Sequence, residues 1–525
     1  VTPFASARDR IAALTRSFEE RDASLRGGNP IDFEGYDVQL EHARSQTDAS
    51  EACIWGVADV GGVRCALAAF EFGFLGGSMG VVVGEKVARA FDAARRERLP
   101  VVTVTSSGGA RMQEGMWALV QMAKTVEAHR RHAAAGLPHV TLLASPTTGG
   151  VYASFASLAD LIVAEDDATV GFAGPRVVEE LTGSAPSSDV HTASFAFAHG
   201  LVDALVPADG AATAIGRALA TLRTERSART PGFDATAEDE GNASVMGAWE
   251  RLRRVRGPDW PRAAQLLDVL LPAHDPDGAN GPVVFRGDRT GAPDDPSVIV
   301  RAGGLAGTKL NVVAIGLDAS GDGRVRPDGF RKAVRALRIA GRLGLPVVTV
   351  VDTRGADPLP SSEGAGVAAA IAWTFDAMLD CPAPTLAVLS GEGGSGGGLA
   401  LSVADRVLAW ESAVFSVIAP EAAAAILYRD PSRGPELAER LGITAPDLVR
   451  LGLVDRVIPE PPGGVGAHPQ AAIEQLASGV ASEIEGLVAL APRRRLRQRE
   501  KRWRTIARPS ARASGRSSKG RAHDR

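Results

Sequence analysis

The 525-residue chain holds only three cysteines, Cys53, Cys65 and Cys381, with no C-x-x-C spacing. That excludes a disulfide framework and a cysteine zinc site, and it fits a reducing, cytoplasmic setting. Its nine histidines are scattered, with no HExxH and no local His/Asp cluster, so no bound metal is expected. Uninterrupted apolar stretches of roughly 18 residues are missing, which argues against a membrane-spanning helix. The first residues, VTPFASARDRIAAL, lack the basic-then-apolar order of a secretory signal. What remains is a chain with 45% hydrophobic residues, mean hydropathy near zero and a formal charge of −4, enough for two or three globular cores.

The charge is unevenly spread. Residues 493–525 carry fourteen Lys and Arg against Glu500 and Asp524, leaving the remainder acidic. From RRRLRQREKRWR onward Arg, Ser and Gly dominate, so residues 486–525 are expected to form a disordered basic tail. Nucleic acid, an anionic surface or an acidic protein could be reached by such a tail, and simple solubilisation is the bland alternative.

The body of the chain repeats itself. LPVVTVTS at 99–106 returns as LPVVTVVD at 345–352, SLADLIVAE at 157–165 as SVADRVLAW at 402–410, and GLVDALVP at 200–207 as GLVDRVIP at 452–459. An offset of about 250 residues with the order preserved is a duplicated domain rather than a solenoid. Short β-branched runs (VVTVTS, VTLLAS, LIVAE) alternate with helical spacing, as in MQEGMWALVQMAKTVEAHRRHAAAG, so the fold class is α/β. The expected division is a helical extension (1–30), a first domain (31–235), a second domain (236–485) and the tail.

Each half places glycines between a strand and a helix: Gly149 and Gly150 in PTTGGVYASFASLAD, Gly396 and Gly397 in SGEGGSGGGLALSVAD. Without a Cβ, backbone N–H groups can approach a substrate oxygen and stabilise developing negative charge. Tight helix-strand packing would account for one such doublet, but each is preceded by a second glycine-bearing loop. These are SSGGARMQEG, with Gly108, Gly109 and Arg111, and DTRGADPLPSSEGAG, with Gly355 and Ala356. A further loop, FLGGSMG, would suit a long phosphate-bearing ligand, although it is neither a Walker loop nor a dinucleotide fingerprint. Gly393, Ser395 and Gly397 satisfy G-x-S-x-G, with Asp455 and His468 in hydrolase order. A run of glycines matches that pattern cheaply, and His468 has no orienting context.

At these residues the chain resembles the carboxyltransferase component of acetyl-CoA carboxylase. SSGGARMQEG, PTTGGVYASFASLADLIVAE and GFAGPRVVEE are similar to its bacterial β subunit. RPDGFRKAVR, LPVVTVVDTRGA, GEGGSGGGLAL, FSVIAPE and GLVDRVIPEP are similar to its α subunit, as if both were fused. The resemblance implies two crotonase-like ββα-superhelix domains in tandem. It also implies transfer of a carboxyl group from N1-carboxybiotin, carried on a separate biotin carboxyl carrier protein served by a biotin carboxylase, to the α-carbon of an acyl-CoA, giving a malonyl-CoA-type product.

By the resemblance, Gly149 and Gly150 supply one oxyanion hole and Gly396 and Gly397 the other. Gly76, Gly77, Ser78, Met79 and Gly80 are the implied coenzyme A contacts, followed by Arg111 and Lys124; a salt bridge for Arg111 and a solvated helix face for Lys124 are the competing readings. Holes that face one another require the first half of one unit to oppose a second half, and a homodimer is the simplest closed arrangement. Three departures stand out: the β subunit's four-cysteine zinc ribbon is missing, DTPGA reads Asp352-Thr353-Arg354-Gly355-Ala356, and EGCASIL reads as Glu421 followed by Ala422 to Ala425, Ile426 and Leu427. A crotonase-type hydratase or decarboxylase, and a non-catalytic scaffold, are the alternative functions.

Overall fold

The computed structural model describes residues 5–172, 189–223, 246–273 and 281–506, together with positions 178, 179, 183, 184 and 187. The boundary expected near residue 235 lies outside the described residues. The α/β alternation is realised twice. In the first half, β1 (Ser17–Arg21), β2 (Cys53–Val60), β3 (Val63–Phe70), β4 (Val101–Ser107), β5 (His139–Thr148) and β6 (Leu161–Glu165) lie side by side. β7 (Val170–Gly171) adds to β5, and β8 (Ala204–Val206) adds to β6.

The second half has the same order. β9 (Val283–Val284), β10 (Val298–Gly304) and β11 (Asn311–Leu317) lead into β13 (Val347–Thr353), β15 (Thr385–Gly394), β16 (Arg406–Trp410) and β18 (Arg456–Ile458), with β17 (Val414–Ser416) on β15. A small parallel pair joins β12 (Arg324–Val325) to β14 (Gly355–Ala356).

The repeated segments are the central strands. β4 and β13 are buried along their whole length; their valines suit a parallel strand covered on both faces, and their buried threonines are hydrogen-bonded, as Thr103 Oγ1 is to Thr141 Oγ1 (2.7 Å). The two copies can be aligned through their ladders: Ser107 pairs with Thr147 where Thr353 pairs with Gly393, each after a break in register. One apolar core runs through both halves.

Helix Pro327–Leu343 opens on proline at its first position and stops at Gly344, whose φ of 75° suits glycine. It carries Arg335 and Arg342 across to the first half, where they meet Asp203 (3.1 Å) and Asp160. Arg289 also pairs with Asp203. Beside them Gly200 and Gly287 touch backbone to backbone; a Cβ on Gly200 would lie 2.5 Å from the Gly287 Cα.

Two expectations fail at the ends of the chain. The first thirty residues are not purely helical: after helix Ala7–Leu14, SFEER forms β1, antiparallel to β2, because its alternating side chains suit a half-covered edge. The basic run after residue 486 is not a loose tail as far as residue 506. Helix Pro469–Ala489 crosses 485, and RRRLRQREKRWR lies in a second helix, Pro492–Thr505. Arg499 is buried there, donating to both oxygens of Asp405 (2.8 and 2.6 Å) and to the carbonyls of Met378, Leu379, Cys381 and Ala383. Residues 507–525 lie outside the described residues. Among the described residues no helix is long and apolar enough to cross a membrane.

Candidate active site

The ends of β4 and β5 bring Gly108 and Gly109 against Gly149 and Gly150. Gly109 donates its N–H to Ser107 Oγ (3.0 Å), and a Cβ on Gly109 would lie 3.1 Å from the Gly149 Cα and 3.3 Å from the Gly150 nitrogen. Gly149, with φ of 60°, opens the helix Gly149–Tyr152 and donates to the Phe172 carbonyl (2.7 Å). The next N–H, that of Gly150, has no acceptor within a first helical turn and no backbone acceptor elsewhere among the described residues. A Cβ on Gly150 would lie 3.6 Å from the Ala110 nitrogen, so the Ala110 and Gly150 backbones come close together.

The second half repeats this with a shift of one residue in the glycines. Gly355 donates to Thr353 Oγ1 (3.0 Å), as Gly109 does to Ser107. The strand register, however, puts Ser395, not a glycine, opposite Gly149; both adopt left-handed φ, 54° and 60°. Gly396 is then the counterpart of Gly150, and Gly397 of Val151. A Cβ on Gly397 would lie 2.9 Å from the Ala356 nitrogen, whereas one on Gly396 would meet nothing within 4 Å. Gly397 is the tight contact and Gly396 borders open space. The helices involved are four and six residues long, too short for a sizeable helix dipole.

Loop 75–80 is laced onto the first site. Gly108 donates to the Gly76 carbonyl (2.8 Å), Met79 to the Gly109 carbonyl (2.7 Å) and Arg111 to the Met79 carbonyl (3.1 Å). Gly77 sits where a Cβ would collide with the Ser106 carbonyl, and Gly80 where one would collide with Glu114. The hydrolase alternative does not assemble. Asp455 is engaged by Arg406 (3.1 Å) and Arg502 (2.6 Å), and His468 is exposed at the start of helix Pro469–Ala489.

A family profile described as "Acetyl co-enzyme A carboxylase carboxyltransferase-like" matches residues 242–507. The acetyl-coenzyme A carboxylase carboxyl transferase subunits beta/alpha of Salinispora tropica are 42% identical over 488 residues, spanning 90% of this chain and 85% of that protein. The chain belongs to the acetyl-CoA carboxylase carboxyl transferase family. Its counterpart in Parafrankia is 38% identical over 539 residues, 96% of this chain and 86% of that protein. In fold this carboxyl transferase matches the transcarboxylase 12S subunit, with TM-score 0.73, 21% identity and coverage of 93% and 91% of the two chains. That places both halves in the crotonase-like class.

Not every residue implied for this carboxyl transferase lies where a ligand could reach it. Arg111 is buried, paired with Glu51 (2.7 Å), and donates to Ser78 Oγ (3.1 Å), the Ser78 carbonyl (2.7 Å) and Tyr36 Oη (3.2 Å). Burial alone would lower its pKa, but the Glu51 carboxylate holds it above the ordinary value. Arg111 is therefore tied to the 75–80 loop through Ser78. Its partners Tyr36 and Glu51 belong to no motif and become visible only in three dimensions, whereas Glu114 lies in SSGGARMQEG itself. Lys124 is half-exposed and pairs with Glu85 (2.5 Å), whose carboxyl is held below its usual range by that hydrogen bond and by Arg89. Arg354 is exposed, its backbone tied to the Gly323 carbonyl (2.8 Å), and Ala423 and Ala424 pack inside helix Pro420–Tyr428. Asp352, near the end of β13, is pushed up to about 6 by burial, against the pull of Arg262 at 3.0 Å.

Proposed function

We propose that the chain moves a carboxyl group between N1-carboxybiotin on a separate carrier protein and the α-carbon of an acyl-CoA, using one backbone donor site for each reactant. The observation that carries this reading is the duplication of a close glycine-backbone approach at the ends of the central strands: Gly150 to Ala110 in one half and Gly397 to Ala356 in the other. Both reactants need the same help. A thioester carbonyl and a ureido carbonyl each gain negative charge on oxygen as the carboxyl group moves. Donors fixed beforehand stabilise that charge without reorganisation. The space bordering Gly396 fits a planar carbonyl group, because nothing within 4 Å fills it. Loop 75–80, held rigid by Arg111, offers its backbone to the coenzyme A portion.

For the sites to face one another, the first half of one copy must oppose the second half of another. Exposed apolar side chains support such pairing: Met112, Met116 and Trp117 follow the first site, and Leu359 and Trp373 follow the second. Incubating the purified chain with malonyl-CoA and biocytin should release acetyl-CoA. Turnover of neither malonyl-CoA nor methylmalonyl-CoA would sink the proposal, and turnover without biocytin would redirect it to a crotonase-type decarboxylase. A panel of acyl-CoAs assayed with carboxylated carrier protein then identifies the acyl chain.

A further inference from the structure

The C-terminal helix Pro492–Thr505 closes over a cavity of ≈ 350 Å³ at the start of β16, lined on its polar side by Asp405, Arg406, Asp455, Arg495, Gln498 and Arg502. The catalytic loops lie elsewhere. Thr385, at the opposite end of β15 from Gly394, is the residue hydrogen-bonded to Asp405 (2.9 Å). At about 3.3 Å per residue, the length of β15 separates this cavity from the donor sites.

The cations here outnumber the carboxylates that could neutralise them. Asp405 spends Oδ1 on Arg499 Nε (2.8 Å), and Oδ2 on Arg499 Nη2 (2.6 Å) and Thr385 N and Oγ1 (2.9 and 3.2 Å). No carboxylate oxygen is left to accept from Arg495: its Nη1 and Nη2 donate to the neutral carbonyls of Leu490 (3.5 Å) and Pro382, and its Nε, 3.4 Å from Asp405 Oδ2, makes no hydrogen bond, although the residue is only 3% exposed. Asp455 is likewise divided between Arg406 (3.1 Å), Arg502 (2.6 Å) and the Val407 N–H (2.7 Å), and the buried Nε of Arg502 has no acceptor among the described residues. Four guanidiniums thus share two carboxylates around one cavity. A buried, under-neutralised guanidinium is costly unless an anion completes it. The remaining wall is apolar, formed by Val454, Leu487 and Leu490.

We infer that this cavity binds a small organic phosphomonoester, whose dianion is held by Arg406, Arg495 and Arg502 while its carbon skeleton rests on Val454, Leu487 and Leu490. Planar guanidiniums match phosphate oxygens, and the cavity volume falls in the range of small-ligand sites, about 300–1,000 Å³. The test uses the full chain and titration calorimetry at low salt, with glucose 6-phosphate, glycerol 3-phosphate and inorganic phosphate as probes and chloride at matched ionic strength as control.

Saturable binding of the two esters, tighter than that of inorganic phosphate, is expected. Arg406→Ala and Gln498→Glu should each weaken it by about tenfold or more, the scale of losing or opposing one charged hydrogen bond. Both variants should keep the unliganded melting temperature and carboxyl transfer rate, because neither residue touches the donor sites. Heats no larger than those of chloride, equal affinity for inorganic phosphate, or ester binding unchanged in both variants would each overturn the assignment.

Discussion

The two halves carry the same socket and close it with different chains of residues. In the first, Asp160 and Asp203 receive Arg342, Arg335 and Arg289, all from the second half. In the second, the repeated positions Asp405 and Asp455 receive Arg499 and Arg502 from the C-terminal helix. Each pair of aspartates also fixes the strands it starts, through His139 N and Ile162 N in one copy and Thr385 N and Val407 N in the other. The duplicated domain therefore ends in an acidic socket that an arginine-bearing helix must fill. For the first copy that helix belongs to the next domain; the last copy needs a helix of its own.

The largest expected effect tests that closure. Arg499→Ala leaves the buried Asp405 without its main partner and should cost about 3–5 kcal/mol in urea denaturation. Arg342→Ala, at a side chain 24% exposed, should cost less; equal losses would mean that the sockets are not two versions of one device. Next comes the donor geometry. Gly397→Val pushes a side chain against the Ala356 backbone and should lower carboxyl transfer by roughly 100-fold or more, the scale of losing one oxyanion donor. Gly150→Ala meets the flexible Met122 side chain at 3.2 Å and the Ala110 nitrogen at an ordinary 3.6 Å, and should be milder than Gly397→Ala. If both alanine variants retain full rate, the donor assignment is wrong.

Gly396→Ala has room and should fold normally, so a rate loss with an unchanged melting temperature would mark that space as substrate-occupied. The smallest effect is a divergence with pH. Burial pushes His132 down to about 4 and also lowers His129 and His139, so their contribution is present above about 6.5 and fades as acid is added. Asp352, raised to about 6, contributes below its unfolded value of about 3.9 and loses that contribution as pH rises through 6. Between about pH 7 and pH 5, amide exchange should therefore quicken in β5 relative to β15. A parallel change in both strands would contradict this.

Much of this architecture was legible in the residues themselves. The repeated apolar runs are the central strands, because a strand buried on both faces has little freedom of composition. The glycine doublets do mark close backbone approaches, Gly109 to Gly149 and Gly397 to Ala356, but their alignment is displaced by one: in SGEGGSGGG any pair of glycines looks equivalent to Gly149 and Gly150, and only the ladder to β13 reveals Ser395 as the true counterpart. The salt-bridge reading of Arg111 could not be decided, and the RRRLRQREKRWR run was misread, for one shared reason. An arginine's role depends on carboxylates distant in sequence, Glu51 for one and Asp405 for the other, and neither composition nor spacing reports them.

The docked final helix has a consequence for the order in which the chain is made. Asp405 and Arg499 are separated by 94 residues, so at about 5–20 residues per second the carboxylate waits some seconds for its partner to be synthesised. The first half has all of its strands long before that moment, but its socket is filled only by the next domain. Completion therefore passes along the chain, and a ribosome that stops before residue 499 releases a chain whose Asp405 lacks its Arg499 partner.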